Sequence, residues 1–395
     1  MGGSFSIGRI LGIEIRLHVS WFFVLVLFTL SLSIGYFPER YPELTGQESW
    51  LLGATTTLLL FVCVLAHELA HSIVAKLHGI PVEHITLLIF GGLSNLEHDP
   101  RTPAAEFRIS IAGPLSSLAL AALSWLLSQS AEPIGFVRLE AVGWYLAQIN
   151  LVLALFNLLP GFPLDGGRVL RSAIWALTGS FATGTRIAAQ TGEAIGRVLI
   201  FGGLFVALGA GNGFGGLWLM FIGWFLTSAA TEAYRRVSLE EALHGLPVSR
   251  VMTQRIDVVP ADLTVRALVQ DHVLPHFKRA FLVTDGRGLP GLVTVSDIRR
   301  LPDEDWDHTE IGAIMTQPDR LATVSPSDDA LTAMRLLADR GVRQLPVIAA
   351  GEIVGFVELD DILRAIELQE VLRDPRRPSG RRNADPSRDS TPLGG

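Results

Sequence analysis

Six separate stretches of about twenty mostly apolar residues restrict this chain to one kind of solution. A bilayer interior holds no water to satisfy backbone N–H and C=O groups, so each stretch must be a helix that closes its own hydrogen bonds. About 20 residues suffice to cross. The stretches run from about Leu17 to Phe37, Trp50 to Leu77, Phe107 to Leu127, Leu139 to Leu159, Ile187 to Leu208 and Phe214 to Ala233. The first lacks a small-residue cleavage pattern and reads as an anchor rather than a signal peptide. Composition agrees, with 49% hydrophobic and only 18% charged residues in 395.

The apolar excess lies before about residue 236, and a soluble α/β segment and a polar tail follow. The expected organisation is a membrane domain over 1–236, two copies of one soluble unit over 246–302 and 309–371, and a tail over 374–395 rich in Pro, Arg, Ser and Asp that is expected to be disordered. A lone cysteine, Cys63, excludes an internal disulfide and is taken as core packing. The formal charge of −7 argues against a nucleic-acid surface. Lys76, Arg101, Arg108, Arg168, Arg171, Arg186, Arg235 and Arg236 fall near alternate helix ends, which places both termini and the soluble segment in the cytosol. The acidic stretch around Glu39, Glu43 and Glu48 and the turn Gly209–Gly213 then face outward.

Inside the second apolar stretch lies His67-Glu68-Leu69-Ala70-His71. Residues four apart share a helix face, so two imidazoles can donate to one tetrahedral zinc, with Glu68 beside it as a general base toward water. The competing reading is a pair of satisfied polar groups at a helix end. Ionisable side chains at membrane depth are costly enough to favour function. A catalytic zinc takes a third protein ligand. Asp165, within Asn157-Leu-Leu-Pro-Gly-Phe-Pro-Leu-Asp-Gly-Gly167, sits where prolines break an apolar helix and a carboxylate needs a compensating cation. His78, His84, Glu97 and His98 are rivals, and Asp165 can also be read as a helix N-cap. Asn157 suits orientation of a peptide carbonyl or support of an oxyanion, or else an interhelical hydrogen bond.

Between the second and third stretches, Ile85 to Leu96 is too short to cross, and its β-branched residues around Gly91-Gly92 predict a re-entrant β-hairpin. Such an edge at membrane depth must border protein or water, and it can accept an extended substrate as an added strand.

Together, His67-Glu-Leu-Ala-His71, the Gly91-Gly92 hairpin, Ala112-Gly113-Pro114 and the run from Asn157 to Gly167 resemble the site-2 protease family of intramembrane zinc metalloproteases. The resemblance covers roughly the first 230 residues. It implies that His67, His71 and Asp165 hold one Zn2+, that Glu68 is catalytic, and that Asn157 assists substrate binding or the oxyanion. A transmembrane protein is the implied substrate. Ala112-Gly113-Pro114 is also explained by a helix bend alone.

After residue 245 the chain repeats: Val251-Met252-Thr253-Gln254 returns as Ile314-Met315-Thr316-Gln317, and Gly291-Leu-Val-Thr294-Val-Ser-Asp297 as Gly355-Phe-Val-Glu358-Leu-Asp-Asp361. Each copy predicts helix, strand, turn, strand, helix. The pattern resembles a tandem CBS pair, a module that commonly binds adenosyl ligands, and places the chain in the branch of the protease family that carries one. By that resemblance Thr294, Asp297 and Asp361 are candidate contacts to an adenine nucleotide. Glu358, in place of a hydroxyl residue, opposes a second phosphate. Asp297 and Asp361 are equally read as helix caps. A homodimer through the CBS units follows from the resemblance alone. The fold expectation is thus a multi-pass α-helical membrane protein followed by a soluble α/β tandem CBS domain. The functional expectation is an intramembrane zinc endopeptidase modulated by the CBS pair. The alternative is a CBS-gated membrane transporter or channel, in which the same polar residues line a path.

Overall fold

A computed structural model describes residues 3–88, 91–96, 100–209, 213–254, 257–276, 279–284 and 291–373. Residues 210–212, 285–290 and 374–395, and Glu97 and His98, lie outside the described residues. The chain divides into two compact units, Met1–Val237 and Ser238–Gly395.

Unit 1 opens with strands β1 (Ser4–Ile10) and β2 (Ile13–His18) and a first long helix, α1 (Ser20–Arg40). α1 takes π-helical hydrogen bonding over Ser31–Tyr36, where Ser33 meets Gly53 of the next helix. α2 (Gly46–Leu77) starts four residues before the apolar run because Thr45 and Glu48 form a reciprocal capping box. Its 32 residues span about 48 Å, more than the roughly 30 Å of hydrocarbon. Strands β3 (Val82–Leu88) and β4 (Gly91–Leu96) follow, then α3 (Pro103–Ala131), begun by an N-cap at Thr102 with Pro103 behind it. α4 (Val137–Asn157), α5 (Asp165–Thr178), α6 (Phe181–Gly209) and α7 (Gly213–Leu243) complete the helices. Among the described residues six helices are long and apolar enough to cross a membrane. Each starts or ends beyond the expected limits, since hydropathy marks only the apolar middle while caps set the ends.

α2, α3 and α4 bury 33–39% of their most apolar windows, against 17–22% for α1, α6 and α7. The inner three therefore form the protein core, and residues such as Phe201, Phe205 and Leu208 on α6 are turned outward. α3 and α4 approach closely through small residues. A Cβ at Gly143 of α4 would crowd the Ser124 carbonyl of α3.

The strands form one sheet in the order β1-β2-β3-β4, with β2 and β3 parallel and the outer pairs antiparallel. Ile13, Ile15 and Leu17 of β2 alternate inward and pack with Ile85 and Leu87 of β3 on Trp21, Ala75 and Ile109. β3 and β4 pair antiparallel. Gly91 and Gly92 lie within β4, opposite Leu88 and Leu87, rather than in the turn.

Among the described residues unit 2 has three core clusters. One gathers Val259, Val265, Phe281, Val293 and Ile311, a second Leu243, Val248, Leu337, Leu345, Val357 and Ile362, and a third Leu282 and Leu292 of the first copy with Phe356 of the second. β5 (Val258–Pro260), β6 (Ala280–Thr284) and β7 (Gly291–Thr294) make one sheet, and β8 (Gln344–Ala349) and β9 (Glu352–Glu358) another. The repeats are exchanged: Thr253 of the first copy bridges Phe356 of the second, and Thr316 of the second bridges Leu292 of the first. Met252 lies over Gly355 and Met315 over Gly291, so neither glycine has room for a side chain. Each copy thus completes the other.

Candidate metal centre

α2 carries His67 and His71 on its buried face, 4% and 7% exposed. Their Nε2 atoms are 3.2 Å apart. Asp165 is the first residue of α5, and its Oδ2 stands 3.1 Å from His67 Nε2 and 3.2 Å from His71 Nε2. These three donors form a nearly equilateral triangle. Ligands about 2.0–2.1 Å from a tetrahedral zinc lie roughly 3.3–3.4 Å from one another, so the triangle is close to one face of that tetrahedron.

The hydrogen bonds behind the rings set their chemistry. His71 Nδ1 lies 2.6 Å from the Ile109 carbonyl and must donate its proton there, which leaves the Nε2 lone pair facing the triangle. His67 Nδ1 is 2.9 Å from Ser117 Oγ, and the same tautomer follows when it donates to that hydroxyl. Two lone pairs and a carboxylate oxygen aimed at one point repel each other unless a cation lies between them. The donor set therefore fits a divalent metal.

Two features of the chain open this space. A Cβ at Gly113 of α3 would overlap both Nε2 atoms. Side chains at Gly166 and Gly167 would collide with the carbonyls of Leu158 and Leu159 and with Gly161, so α5 packs its first turn directly on the preceding loop and Asp165 is held inward. Asp165 is not the N-cap, a position taken by Leu164. In sequence Ala112-Gly113-Pro114 belongs to the family resemblance and is also explained by a helix bend; α3 stays helical through Pro114 to Ala131, and the sequence assigns no contact to the histidines to Gly113. Its role was invisible in sequence because it depends on which helix faces α2.

Glu68 is half-buried, within electrostatic reach of His67, His71, Asp165 and Arg168. It makes no hydrogen bond to another described residue. Asn157 ends α4, half-buried, and among the described residues it has no hydrogen bond to the triangle. Of the rival ligands, the two described do not converge: His78 bonds to the Val74 carbonyl, and His84 faces Glu83. Cys63 packs with Leu60 and Leu146 in the core.

In unit 2, Asp297 accepts from the backbone N–H and hydroxyl of Thr294 at 2.9 and 2.6 Å, which is a capping arrangement. The helix it starts is only Val295–Ile298, too short to offer phosphate a substantial dipole. Asp361 accepts from Thr253 at 3.3 Å. Glu358 has its carboxyl pushed up, first by burial and then by Asp361 and Asp360.

A model of peptidase family M50 matches residues 55–137 and 127–200, and a model of the CBS domain matches residues 311–368. A Synechocystis protein provisionally named zinc metalloprotease sll0528 is 35% identical over 93% of this chain and 96% of its own. A Mycobacterium tuberculosis protein provisionally named zinc metalloprotease Rip3 is 36% identical over 94% and 95%. Among solved structures, a site-2 protease from Methanocaldococcus jannaschii is 30% identical with a TM-score of 0.41, covering 59% of this chain and 95% of its own.

Proposed function

The chain belongs to peptidase family M50, the site-2 protease family of intramembrane zinc metalloproteases, and on that premise we propose that His67, His71 and Asp165 are its zinc ligands and Glu68 its general base. It is an intramembrane zinc endopeptidase of a multi-pass membrane protein that also carries a CBS domain. The observation that carries the residue assignment is the triangle of donor atoms with edges of 3.1–3.2 Å.

Zinc, when bound, supplies the positive charge that acidifies water and polarises a carbonyl oxygen. Glu68, adjacent in sequence to one ligand, accepts a proton from the attacking water and returns it to the leaving amine. The Asn157 amide orients the substrate carbonyl from the end of α4. A transmembrane substrate helix must first unwind, since its carbonyls are committed to internal hydrogen bonds. β4, packed on the helix that carries both histidines, pairs with β3 alone among the described strands and receives the unwound segment as an added strand on its other side.

Both termini and the CBS pair face the cytosol, a reading supported by the placement of the basic residues. The pair takes an adenine nucleotide near Thr294, Asp297 and Asp361, and its occupancy shifts access to the zinc site through unequal affinity for open and closed states. The transporter reading is not favoured, because His67, His71 and Asp165 converge on one point and the curated relatives are named as zinc metalloproteases.

The test is cleavage of single-span membrane substrates by the purified full chain in lipid, alongside Glu68→Gln and zinc-stripped protein. Cleavage lost in both and restored to the stripped sample by zinc is expected. Turnover retained by Glu68→Gln would overturn the base assignment.

A further inference from the structure

We infer that the buried ion pair between Glu106 and Arg171 positions Asp165 for the metal, and so sets metal affinity from outside the ligand set. Glu106 on α3 and Arg171 on α5 have side chains only 1% and 7% exposed. Arg171 Nε donates to Glu106 Oε1 at 2.6 Å, and Nη2 donates to the same oxygen. The guanidinium is held between two rings, 5.0 Å from the centre of Phe162 and 4.3 Å from that of Phe181. Phe162 lies in the loop that delivers Asp165, and Phe181 opens α6. Arg171 therefore grips the loop, the helix after it and α3 at once.

The geometry explains why this grip bears on the metal. Glu106, Ile109, Gly113 and Ser117 are all buried on α3 at spacings of three and four residues, which is one helix face. Along that face the Ile109 carbonyl fixes His71, Ser117 fixes His67, and Gly113 leaves the opening. Glu106 ends the row by tying the same face to α5. Asp165 stands six residues before Arg171, about 9 Å along the α5 axis. The pair thus joins the face that orients the two histidines to the helix that carries the third ligand.

Stability alone is a poor account of such a pair. A buried ion pair replaced by apolar residues of similar volume often leaves a fold as stable or more so. A planar guanidinium fork does fix direction, which an apolar contact does not. Arg171 was counted in sequence among the basic residues at helix ends, but its burial removes it from that set.

The inference rests on the zinc assignment above, and the experiment separates the two. The full chain in lipid is compared with Glu106→Leu/Arg171→Met and with Asp165→Ala, alone and combined, measuring zinc affinity by chelator competition and thermal unfolding without metal. The double variant is expected to unfold at or above the wild-type temperature while binding zinc about 10–100-fold more weakly. In the Asp165→Ala background the same double change should leave affinity unaltered. Should the double variant not fold, Glu106→Asp keeps both charges, retracts the carboxylate by one methylene and should weaken zinc in the same direction. Zinc affinity within about twofold of wild type, or an equal loss without Asp165, would overturn the positioning role. A wild-type chain that binds no zinc would instead overturn the metal assignment, and this inference with it.

Discussion

Glu68 and Gly113 sit beside the same three donor atoms and make opposite predictions. Glu68→Gln keeps the side chain's size and removes its basicity, so turnover should fall about 10²–10⁴-fold while metal analysis finds zinc retained. For Gly113→Ala the expectation reverses the usual effect of alanine in a helix, which is favourable by roughly 1 kcal/mol. The added methyl takes the space between the imidazoles, so zinc content should drop well below one per chain while the helices persist by circular dichroism. Glu358 supplies a pH dependence. Its carboxyl is raised in the folded chain, so the folded state holds this proton after the unfolded state has released it near 4.5. Stability is therefore lost as pH rises from about 4.5 through the folded value, and Glu358→Gln should flatten that part of the pH profile of CBS unfolding. Two of these sites were legible in different degrees. Glu68 belongs to a motif whose members are adjacent along one helix, whereas Gly113 acts only by facing a helix distant in sequence.

At the scale of the element, β4 presents the prediction most specific to a strand-addition mode. Strand pairing uses alternate backbone groups, so N-methylation of substrate amides near the scissile bond should impair cleavage with period two. A scan without that alternation would argue against pairing on β4. The hairpin itself could be read from β-branched residues too few to cross a membrane, but not its register. Gly91 and Gly92 entered the strand because the sheet continues opposite Leu87 and Leu88. Likewise the limits of α2 and α3 came from Thr45, Glu48 and Thr102, polar caps outside the apolar windows.

For the molecule as a whole, two compact units imply two separable responses to metal. A ligand that binds only the folded state stabilises it by about 2.7 kcal/mol at a hundredfold excess over its dissociation constant. Chelation should then lower the unfolding temperature of the membrane unit and leave that of the CBS unit where it was. Deletion from about residue 246 tests their coupling: an unchanged cleavage rate and no nucleotide response lost would end the regulatory proposal.

The sequence by itself determined the six membrane helices, the two histidines with their glutamate, and the repeated soluble unit. Each of these is written in neighbouring residues, as hydropathy, helical spacing or direct repetition. Tertiary structure decided which of several carboxylates and imidazoles meets the histidine pair, why residue 113 carries no side chain, and that Glu106 and Arg171 lie buried together. It also exchanged the Met-Thr segments between the two CBS copies. Those outcomes depend on pairs far apart in the chain, such as His67 with Asp165 or Glu106 with Arg171, whose distances are set only when the helices pack.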